Sequence, residues 1–404
     1  MPPGGLFRER EYRDVGLYGD YAHGFLDGRI PYRDVFVEYP PGAFAVFLPP
    51  AFLPDDWYRH AFKVLMALLG VAMLFVAASI LARLGAGTRR LYGALGTLAL
   101  SPLAIGPVSL NTYDLWPALL VAAAVGALLY GRPTLGFALL GLAVTAKVYP
   151  VALLPVFCLV AWRRGLGRPL AAFAGVILVV VGPFALLGWD GLWDSLDAQA
   201  QWALQLESFG GALLVAADKL GLYDTEVVSG STAALSRDLG GAVADGVAVA
   251  MTVLQVLAVA FVAWLFARGD RGGERLVAAA AATLAAFVAF ARFVSPQYLL
   301  WLLPLVVLVA PPAGLAAAAV LAGAFVLGQL WFFHYRELFA LENLAWLVVA
   351  RDLLLVALYG ILVVAVLRLR TTIPSSSSAV DQPPLRSSRA SGIAAVEADD
   401  LRSR

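Results

Sequence analysis

Charged residues are scarce in this sequence. Asp, Glu, Lys and Arg make up 14% of its 404 residues, whereas about 25% is usual in soluble domains. Hydrophobic residues reach 61% and the mean hydropathy is +0.81. This composition excludes a water-soluble globular protein, because the excess apolar surface needs lipid as its solvent. The net charge of +1 gives no indication of nucleic-acid binding.

Cysteine and histidine are scarce as well. There is one cysteine, Cys158, so an intrachain disulfide is excluded, and this residue lies inside an apolar run. The three histidines, His23, His60 and His334, lie far apart and show no metal-ligand spacing. The first residues are polar and charged, unlike a cleavable signal peptide. The sequence therefore predicts neither a metal site nor a cofactor.

Long apolar runs are abundant after residue 60. A membrane-spanning helix needs about 20 residues. We predict spans at 61–82, 91–109, 114–130, 169–188, 246–267, 276–291, 297–310, 313–333 and 345–367. The stretch 134–162 is also apolar, but a helix break is predicted before Pro150, since proline disfavours helix at the preceding residue. The pattern predicts an all-α, polytopic transmembrane bundle.

Arginine clusters predict the orientation of this bundle. They comprise Arg83, Arg89, Arg90, Arg132, Arg163, Arg164, Arg168, Arg268, Arg271, Arg275, Arg368 and Arg370. All are cytoplasmic if 134–162 crosses as a hairpin of two short helices, with Lys147 and Tyr149 at its outer tip. The predicted outer segments are 1–60, 110–113, a long loop at 189–245, 292–296 and 334–344. The tail 371–404, rich in Ser, Pro and Arg, is predicted to be disordered and cytoplasmic.

The predicted outer segment 1–60 interleaves carboxylates with tyrosines. The acids are Asp14, Asp20, Asp27, Asp34 and Glu38, and the tyrosines are Tyr12, Tyr18, Tyr21, Tyr32 and Tyr39. Carbohydrate rings stack on aromatic faces and form hydrogen bonds to carboxylates, and a carboxylate can act as a general base. A solvated loop with turns is the alternative interpretation for each acid.

Three later features add charge to the same predicted face. Lys147 could bind phosphate, or it could anchor a helix end by snorkelling. Arg292 offers a forked donor for phosphate oxygens, or it belongs to an interfacial aromatic belt. For Asp114, at the start of a span, helix capping is the favoured interpretation. Acids opposite cations suit a lipid-phosphate sugar donor, because the leaving phosphate needs positive groups and the acceptor hydroxyl needs a base.

Three stretches of the sequence resemble glycosyltransferase family 87. They are DVGLY at Asp14–Tyr18 with the following DGRIPYRDVFVEYPP, AKVYPVALLPV at 146–156, and SPQYLLWLLP at 295–304. They stand in the family's order, and the resemblance covers most of residues 12–370. It implies a membrane bundle of GT-C type with extracytoplasmic loops and short interfacial helices. It also implies polyprenol-phosphate sugar donors, most often of mannose, inversion at the anomeric carbon, and an active site at the outer membrane interface.

The resemblance also implies roles for individual residues. Asp14 matches the aspartate expected to act as general base. The implied substrate-binding residues are Tyr18, Glu38, Tyr39, Lys147, Tyr149, Gln297 and Tyr298. Arg292 stands just before the stretch SPQYLLWLLP, and we assign it to the donor phosphate. Family members usually carry a transmembrane helix just before this aspartate. We therefore expect either an apolar segment encoded upstream of Met1 or a chain that works without it.

The sequence thus predicts three regions: the outer segment 1–60 with the catalytic loop, the transmembrane domain 61–370 and the tail 371–404. The expected activity is that of a multi-pass plasma-membrane glycosyltransferase. It would transfer a hexose, most often mannose, from a polyprenyl-phosphate donor to an extracytoplasmic glycolipid or polysaccharide, in contact with membrane lipid.

A transporter or lipid flippase is the alternative, since broken helices often frame transport sites. The lack of mid-span acids and the large outer segments at 1–60 and 189–245 argue against it. A third hypothesis is a non-catalytic scaffold that binds a partner through the tail.

Overall fold

The computed structural model describes residues 13–229, 237–333 and 345–369, which fold as a bundle of α-helices. The predicted tail 371–404 and the predicted loop 334–344 lie outside the described residues. The helices are α1 (Arg13–Leu26), α2 (Phe44–Ala51), α3 (Tyr58–Arg83), α4 (Thr88–Ile105), α5 (Val108–Asn111), α6 (Leu115–Leu129), α7 (Pro133–Ala146), α8 (Leu154–Ala161), α9 (Gly167–Ala200), α10 (Phe209–Lys219), α11 (Ala242–Ala267), α12 (Gly273–Ala289), α13 (Leu299–Val306), α14 (Ala313–Phe333) and α15 (Ala345–Arg368). Short 3₁₀ helices cover Pro41–Ala43, Asp55–Trp57, Tyr149–Leu153, Trp162–Arg164 and Pro296–Tyr298.

Five helices in the described residues are long and apolar enough to cross a membrane. They cover Asp55–Arg83, Gly167–Gln199, Ala242–Ala267, Ala313–Trp331 and Ala345–Arg368. The predicted spans 91–109, 114–130, 276–291 and 297–310 correspond to α4, α6, α12 and α13, which fall below that length or hydropathy. The predicted fold class, an all-α multi-pass membrane bundle, is confirmed.

The N-terminal segment is more ordered than a solvated loop. α1 turns one face inward, with Val15, Tyr18 and Ala22 buried at the helical spacing i, i+3 and i+7. Asp20 lies on the exposed side of the same helix. α1 packs against α2 and α3 and so brings its first turn to the membrane-embedded helices.

Two glycines of α9 fix the position of this N-terminal segment. α9 is kinked at Gly188, where φ is −155° and ψ is 54°. A Cβ atom on Gly188 would lie 2.8 Å from the backbone nitrogen of Arg33, and one on Gly191 would lie 1.9 Å from the carbonyl oxygen of Tyr32. The turn at Tyr32, which has a positive φ of 67°, therefore rests directly on the kink.

The segment 189–245, predicted as a long loop, has secondary structure of its own. α9 continues through it to Ala200, and α10 follows. The strands β1 (Leu204–Gln205), β2 (Val227–Ser229) and β3 (Arg237–Leu239) form a small antiparallel sheet in the order β1-β3-β2. The side chain of Ser208 caps α10 by accepting a hydrogen bond from the backbone of Gly211 at 3.1 Å.

α15 carries a buried ion pair that the sequence argument against a transporter overlooked. Arg351 and Asp352 are 0% and 1% exposed at their side chains, and their charged groups lie 2.7 Å apart. Arg351 also donates to the carbonyl oxygen of Glu207, which fastens α15 to the segment before α10. The spans therefore do contain a buried acid, but its neighbour on the same helix compensates its charge.

Candidate active site

Asp14 lies in the first turn of α1, outside the membrane-spanning helices. Burial raises the pKa of its carboxyl from 3.8 to about 6. The negative charge of Asp114 raises this pKa further, whereas the ammonium group of Lys147 lowers it. The three side chains therefore interact electrostatically, although they come from α1 and from the ends of α6 and α7.

Asp114 and Lys147 form a buried ion pair. Lys147 Nζ lies 2.6 Å from Asp114 Oδ1, and the two side chains are 14% and 1% exposed. The indole nitrogen of Trp301 donates to the same oxygen at 2.6 Å. Asp114 occupies the position before α6 but makes no capping hydrogen bond, so the helix-cap interpretation is wrong. The snorkelling interpretation of Lys147 is also wrong, because its ammonium group points into the protein.

The backbone around Lys147 is shaped by its neighbours. α7 ends at Ala146, and Lys147 is extended, with φ −159° and ψ 142°, before the 3₁₀ helix that contains Pro150. Gly42 rests on this helix end, where a Cβ atom would lie 2.6 Å from the backbone carbonyl carbon of Thr145. The loop from the N-terminal segment thus reaches the helix end that presents Lys147.

Aromatic rings enclose the ammonium group of Lys147. Its Nζ lies 4.8 Å from the ring centre of Tyr113, 5.3 Å from that of Tyr298 and 5.1 Å from that of Trp301. Tyr149 and Tyr298 both stack on Trp301, each with 3.9 Å between ring centres. Aromatic faces at these distances attract a cation. Lys147, Tyr149 and Tyr298, which the sequence assigned to one site, thus lie together.

A second aromatic group connects this cage to α1. Tyr18 stacks on Phe47 at 4.4 Å, and its ring meets Tyr39 and Tyr113 edge-on at 5.4 and 5.5 Å. Burial raises the pKa of Glu38, and the charge of Asp14 adds to this effect. The sequence-predicted residues Tyr18, Glu38 and Tyr39 therefore lie on the Asp14 side of the site.

Arg292 lies just before the 3₁₀ helix Pro296–Tyr298, and Gln297 lies within it. The carbonyl oxygen of Arg292 accepts a hydrogen bond from Gln205 at 2.9 Å, which ties it to β1. The following Phe293 packs on Trp202, with ring centres 4.1 Å apart. Gln297 lies in the 3₁₀ helix just before Tyr298 and is half-buried. Among the described residues, no group of three His, Cys, Asp or Glu side chains is arranged to hold a metal.

The sequence interpretation missed the partners of Lys147. Tyr113 and Asp114 stand in the stretch NTYDLW, and Trp301 stands in the family-like stretch SPQYLLWLLP, but neither Tyr113 nor Trp301 is singled out by the sequence analysis. An acid, a lysine and a tryptophan that each stand beside a helix break form a pattern that could have suggested a buried pair. Lys147 and Trp301 are 33 and 187 positions from Asp114 in the sequence, and at such separations the sequence does not show that they are in contact.

Five helices in the described part of the chain are long and apolar enough to cross a membrane, and they define the class as an integral membrane protein. The family model "Glycosyltransferase family 87" matches residues 36–296, more than half of the chain. The chain therefore belongs to glycosyltransferase family 87, and it is a membrane glycosyltransferase. Asp14 lies before the matched residues, so its role remains a proposal.

Comparison with solved structures gives the crystal structure of ArnT from Cupriavidus metallidurans bound to undecaprenyl phosphate. The TM-score is 0.44 and the sequence identity is 16%, over 88% of this chain and 73% of that chain. Comparison with curated proteins gives no match.

Proposed function

We propose that this chain transfers a hexose, mannose by the usage of its family, from a polyprenyl-phosphate donor to a glycolipid or polysaccharide, with Asp14 as general base. The observation that carries the proposal is the coupled set of Asp14, Asp114 and Lys147. One acid of raised pKa is available to take a proton, while the cation beside it is held in place by the other acid. This arrangement matches the two charges that develop during the transfer.

The transfer is a single displacement. The acceptor hydroxyl oxygen attacks the anomeric carbon, and a new carbon–oxygen bond forms as the bond from that carbon to the phosphate oxygen breaks. Asp14 takes the hydroxyl proton, and the polyprenyl phosphate leaves with the electron pair of the broken bond. Attack opposite the leaving phosphate inverts the anomeric configuration. A carboxylate with a pKa of about 6 suits this role, because the best base titrates near the working pH.

Lys147 is our candidate for stabilising the leaving phosphate. Its ammonium group has three N–H donors, and Asp114 is the partner of one of them. The 14% exposure of its side chain leaves an approach for a phosphate oxygen. The rings of Tyr113 and Tyr298 beside it offer faces for the sugar. Asp114 Oδ2, which is buried without a hydrogen-bond partner in the described residues, could accept from a sugar hydroxyl.

The predicted extracytoplasmic location of this site has support in the arrangement of charges. Asp114 precedes α6 and Lys147 follows α7, so both lie at one end of this antiparallel helix pair. Arg83, Arg163 and Arg271 lie around a cavity at the other end. Arginines favour the cytoplasmic side of a membrane. The proposal therefore places the reaction on the opposite face, where a lipid-linked donor and an envelope acceptor would meet.

The proposed activity predicts covalent transfer from a lipid-linked donor. Membranes that contain the full chain should move radiolabelled mannose from polyprenyl-phosphate mannose onto a glycolipid or polysaccharide acceptor, and matched membranes without the chain should not. Polyprenyl-phosphate glucose, tested in parallel, measures the sugar preference. Proteoliposomes that move the labelled donor across the bilayer without forming any covalent product would support the transporter alternative instead.

The raised pKa of Asp14 predicts a pH dependence. A base is active only when ionised, so kcat/KM should be close to its plateau at pH 7, where about nine-tenths of a group with this pKa is ionised. It should fall about tenfold per pH unit well below pH 6. The measurement is kcat/KM for the lipid donor between about pH 3 and 8, a range that covers this transition and that of an ordinary aspartate. A limb centred near pH 4, typical of an ordinary aspartate, would contradict the assignment.

A further inference from the structure

A cavity of about 790 Å³ lies at the end of the bundle opposite Asp114. α6 begins just after Asp114 and ends at Leu129, in the cavity wall, and its 15 residues span about 22 Å. The walls come from four separate parts of the chain, 83–84, 128–131, 160–164 and 267–276. The volume is within the range of about 300–1,000 Å³ that small-molecule sites occupy. Nothing in the proposed transfer uses this space.

Four arginines line the cavity, and their donors are only partly used. Arg83 donates through Nε to the carbonyl oxygen of Leu129 at 3.1 Å, and Arg271 donates to that of Leu159. These bonds fix the two side chains, and the remaining N–H groups of both have no hydrogen-bond acceptor within the part of the chain that the structure describes. Arg163 and Arg164 are exposed, and no carboxylate in the described parts of the chain pairs with either.

The negative charges of the two acids in the cavity lining do not neutralise the positive charges of these arginines. Glu274 is bound at both oxygens by Arg90, which lies outside the lining, at 2.5 and 2.7 Å. Asp270 accepts a hydrogen bond from the backbone of Gly272 at 3.0 Å within its own turn. The charge of Glu274 is therefore already compensated, and the cavity keeps an excess of guanidinium groups that pair with no carboxylate among the described residues.

The membrane orientation rule alone explains why arginines lie at this end, but it does not explain why they meet around a cavity. Arg132 and Arg168 satisfy that rule as exposed arginines outside the lining. Arg164 instead lies over the turn at Gly131, where φ is 72° and a Cβ atom would come within 3.6 Å of its Nη1. The cavity thus gathers cations from several segments where their forked donors can act together.

We propose that this cavity binds a phosphate group, as a second ligand site separate from the transferase site. Guanidinium groups bind phosphate oxygens in pairs of parallel hydrogen bonds, and several arginines around one space favour a phosphate over a carboxylate of lower charge. The phosphate could belong to an anionic lipid headgroup, since the site lies at a bundle end, or to a soluble phosphate compound.

The test measures ligand-dependent thermal stabilisation of the purified full chain in a neutral detergent. The probes are dihexanoyl phosphatidylglycerol, dihexanoyl phosphatidylcholine, inorganic phosphate and pyrophosphate. The variant R163Q/R164Q removes two cavity arginines that have no described protein partner, so its Tm without ligand should not change. R132Q/R168Q removes the same amount of positive charge at the same end of the bundle but outside the cavity. It measures how strongly the positive surface attracts anions without a specific site.

We expect saturable stabilisation by phosphatidylglycerol and none by phosphatidylcholine. R163Q/R164Q should weaken this binding about tenfold or more, and R132Q/R168Q by less than about threefold. Binding of pyrophosphate or phosphate with the same dependence on Arg163 and Arg164 would support a site for a soluble phosphate compound. The proposal is overturned if no phosphate probe binds saturably, or if the two double variants weaken binding equally.

Discussion

Asp14→Asn should lower kcat/KM about a thousandfold, the middle of the range for loss of a general base. The amide keeps the size of the carboxyl group but cannot take the acceptor proton. Binding of the lipid donor should change little, because the proposed phosphate contact is made by Lys147. The measurement is initial transfer rates from polyprenyl-phosphate mannose, together with the donor affinity determined separately.

The stability of this variant separates catalysis from folding. A carboxyl whose pKa rises from 3.8 in the unfolded chain to about 6 in the fold binds its proton more tightly when folded. The bound proton on Asp14 therefore stabilises the folded state fully below about pH 4, and this stabilisation is lost as the pH rises through about 6. At pH 7 the ionised Asp14 weakens the fold, so Asp14→Asn should melt at the same temperature as the parent protein or higher.

The matched control for this experiment is Asp20→Asn. Asp20 lies on the exposed side of the same helix and should keep full activity. An Asp14→Asn protein that is folded and transfers sugar at the parent rate would remove Asp14 from the mechanism. Asp114, whose second oxygen lacks a described partner, would then be the next candidate for the base.

The parts of this fold that follow from local chemistry could be predicted from the sequence. α3 is an apolar run with no acid inside it, and it was expected at 61–82. The end of α7 follows from Pro150, which prevents the helix from continuing. Each of these features depends on residues a few positions apart, which is the range over which helix rules apply.

α1 was not predicted from the sequence, because the residues of this helix disfavour it and the contact that stabilises it lies on another helix. Gly16, Gly19 and Gly24 lower its intrinsic helix propensity, and its acids and tyrosines resemble the composition of a loop. Packing compensates for this cost: a Cβ atom on Gly19 would lie 3.2 Å from the ring of Tyr58, so the glycine lets α1 approach α3 closely. The sequence contains the glycine but not the neighbour that makes it useful.

The site was predicted in part, for a related reason. Its candidates, Asp14 and Lys147, were identified from residue type and from the family resemblance. Asp114 was interpreted by its local position at a helix start, where capping is the common role. Its actual partners, Lys147 and Trp301, come from distant helices. A pairing between distant helices depends on how they pack, which a single sequence does not reveal.

Lys147→Met should abolish most of the activity and also destabilise the protein. Removing one donor to a developing negative charge typically costs a factor of about 100–1,000 in kcat. The change also leaves Asp114 buried and charged without its partner, which costs about 3–5 kcal/mol in comparable buried pairs. The measurements are the transfer rate and the free energy of unfolding in detergent. Lys219→Met, at the end of α10, is the control and should affect neither.

The double variant Asp114→Asn with Lys147→Met separates these two effects. The neutral amide no longer needs a counter-ion, so most of the lost stability should return. Activity should not return, because the leaving phosphate still lacks its cation. Recovery of both stability and transfer would mean that Lys147 serves only to neutralise Asp114. Recovery of stability together with a transfer rate well below that of Asp114→Asn alone would assign the charge of Lys147 to the donor phosphate, since the two variants share the Asp114 change.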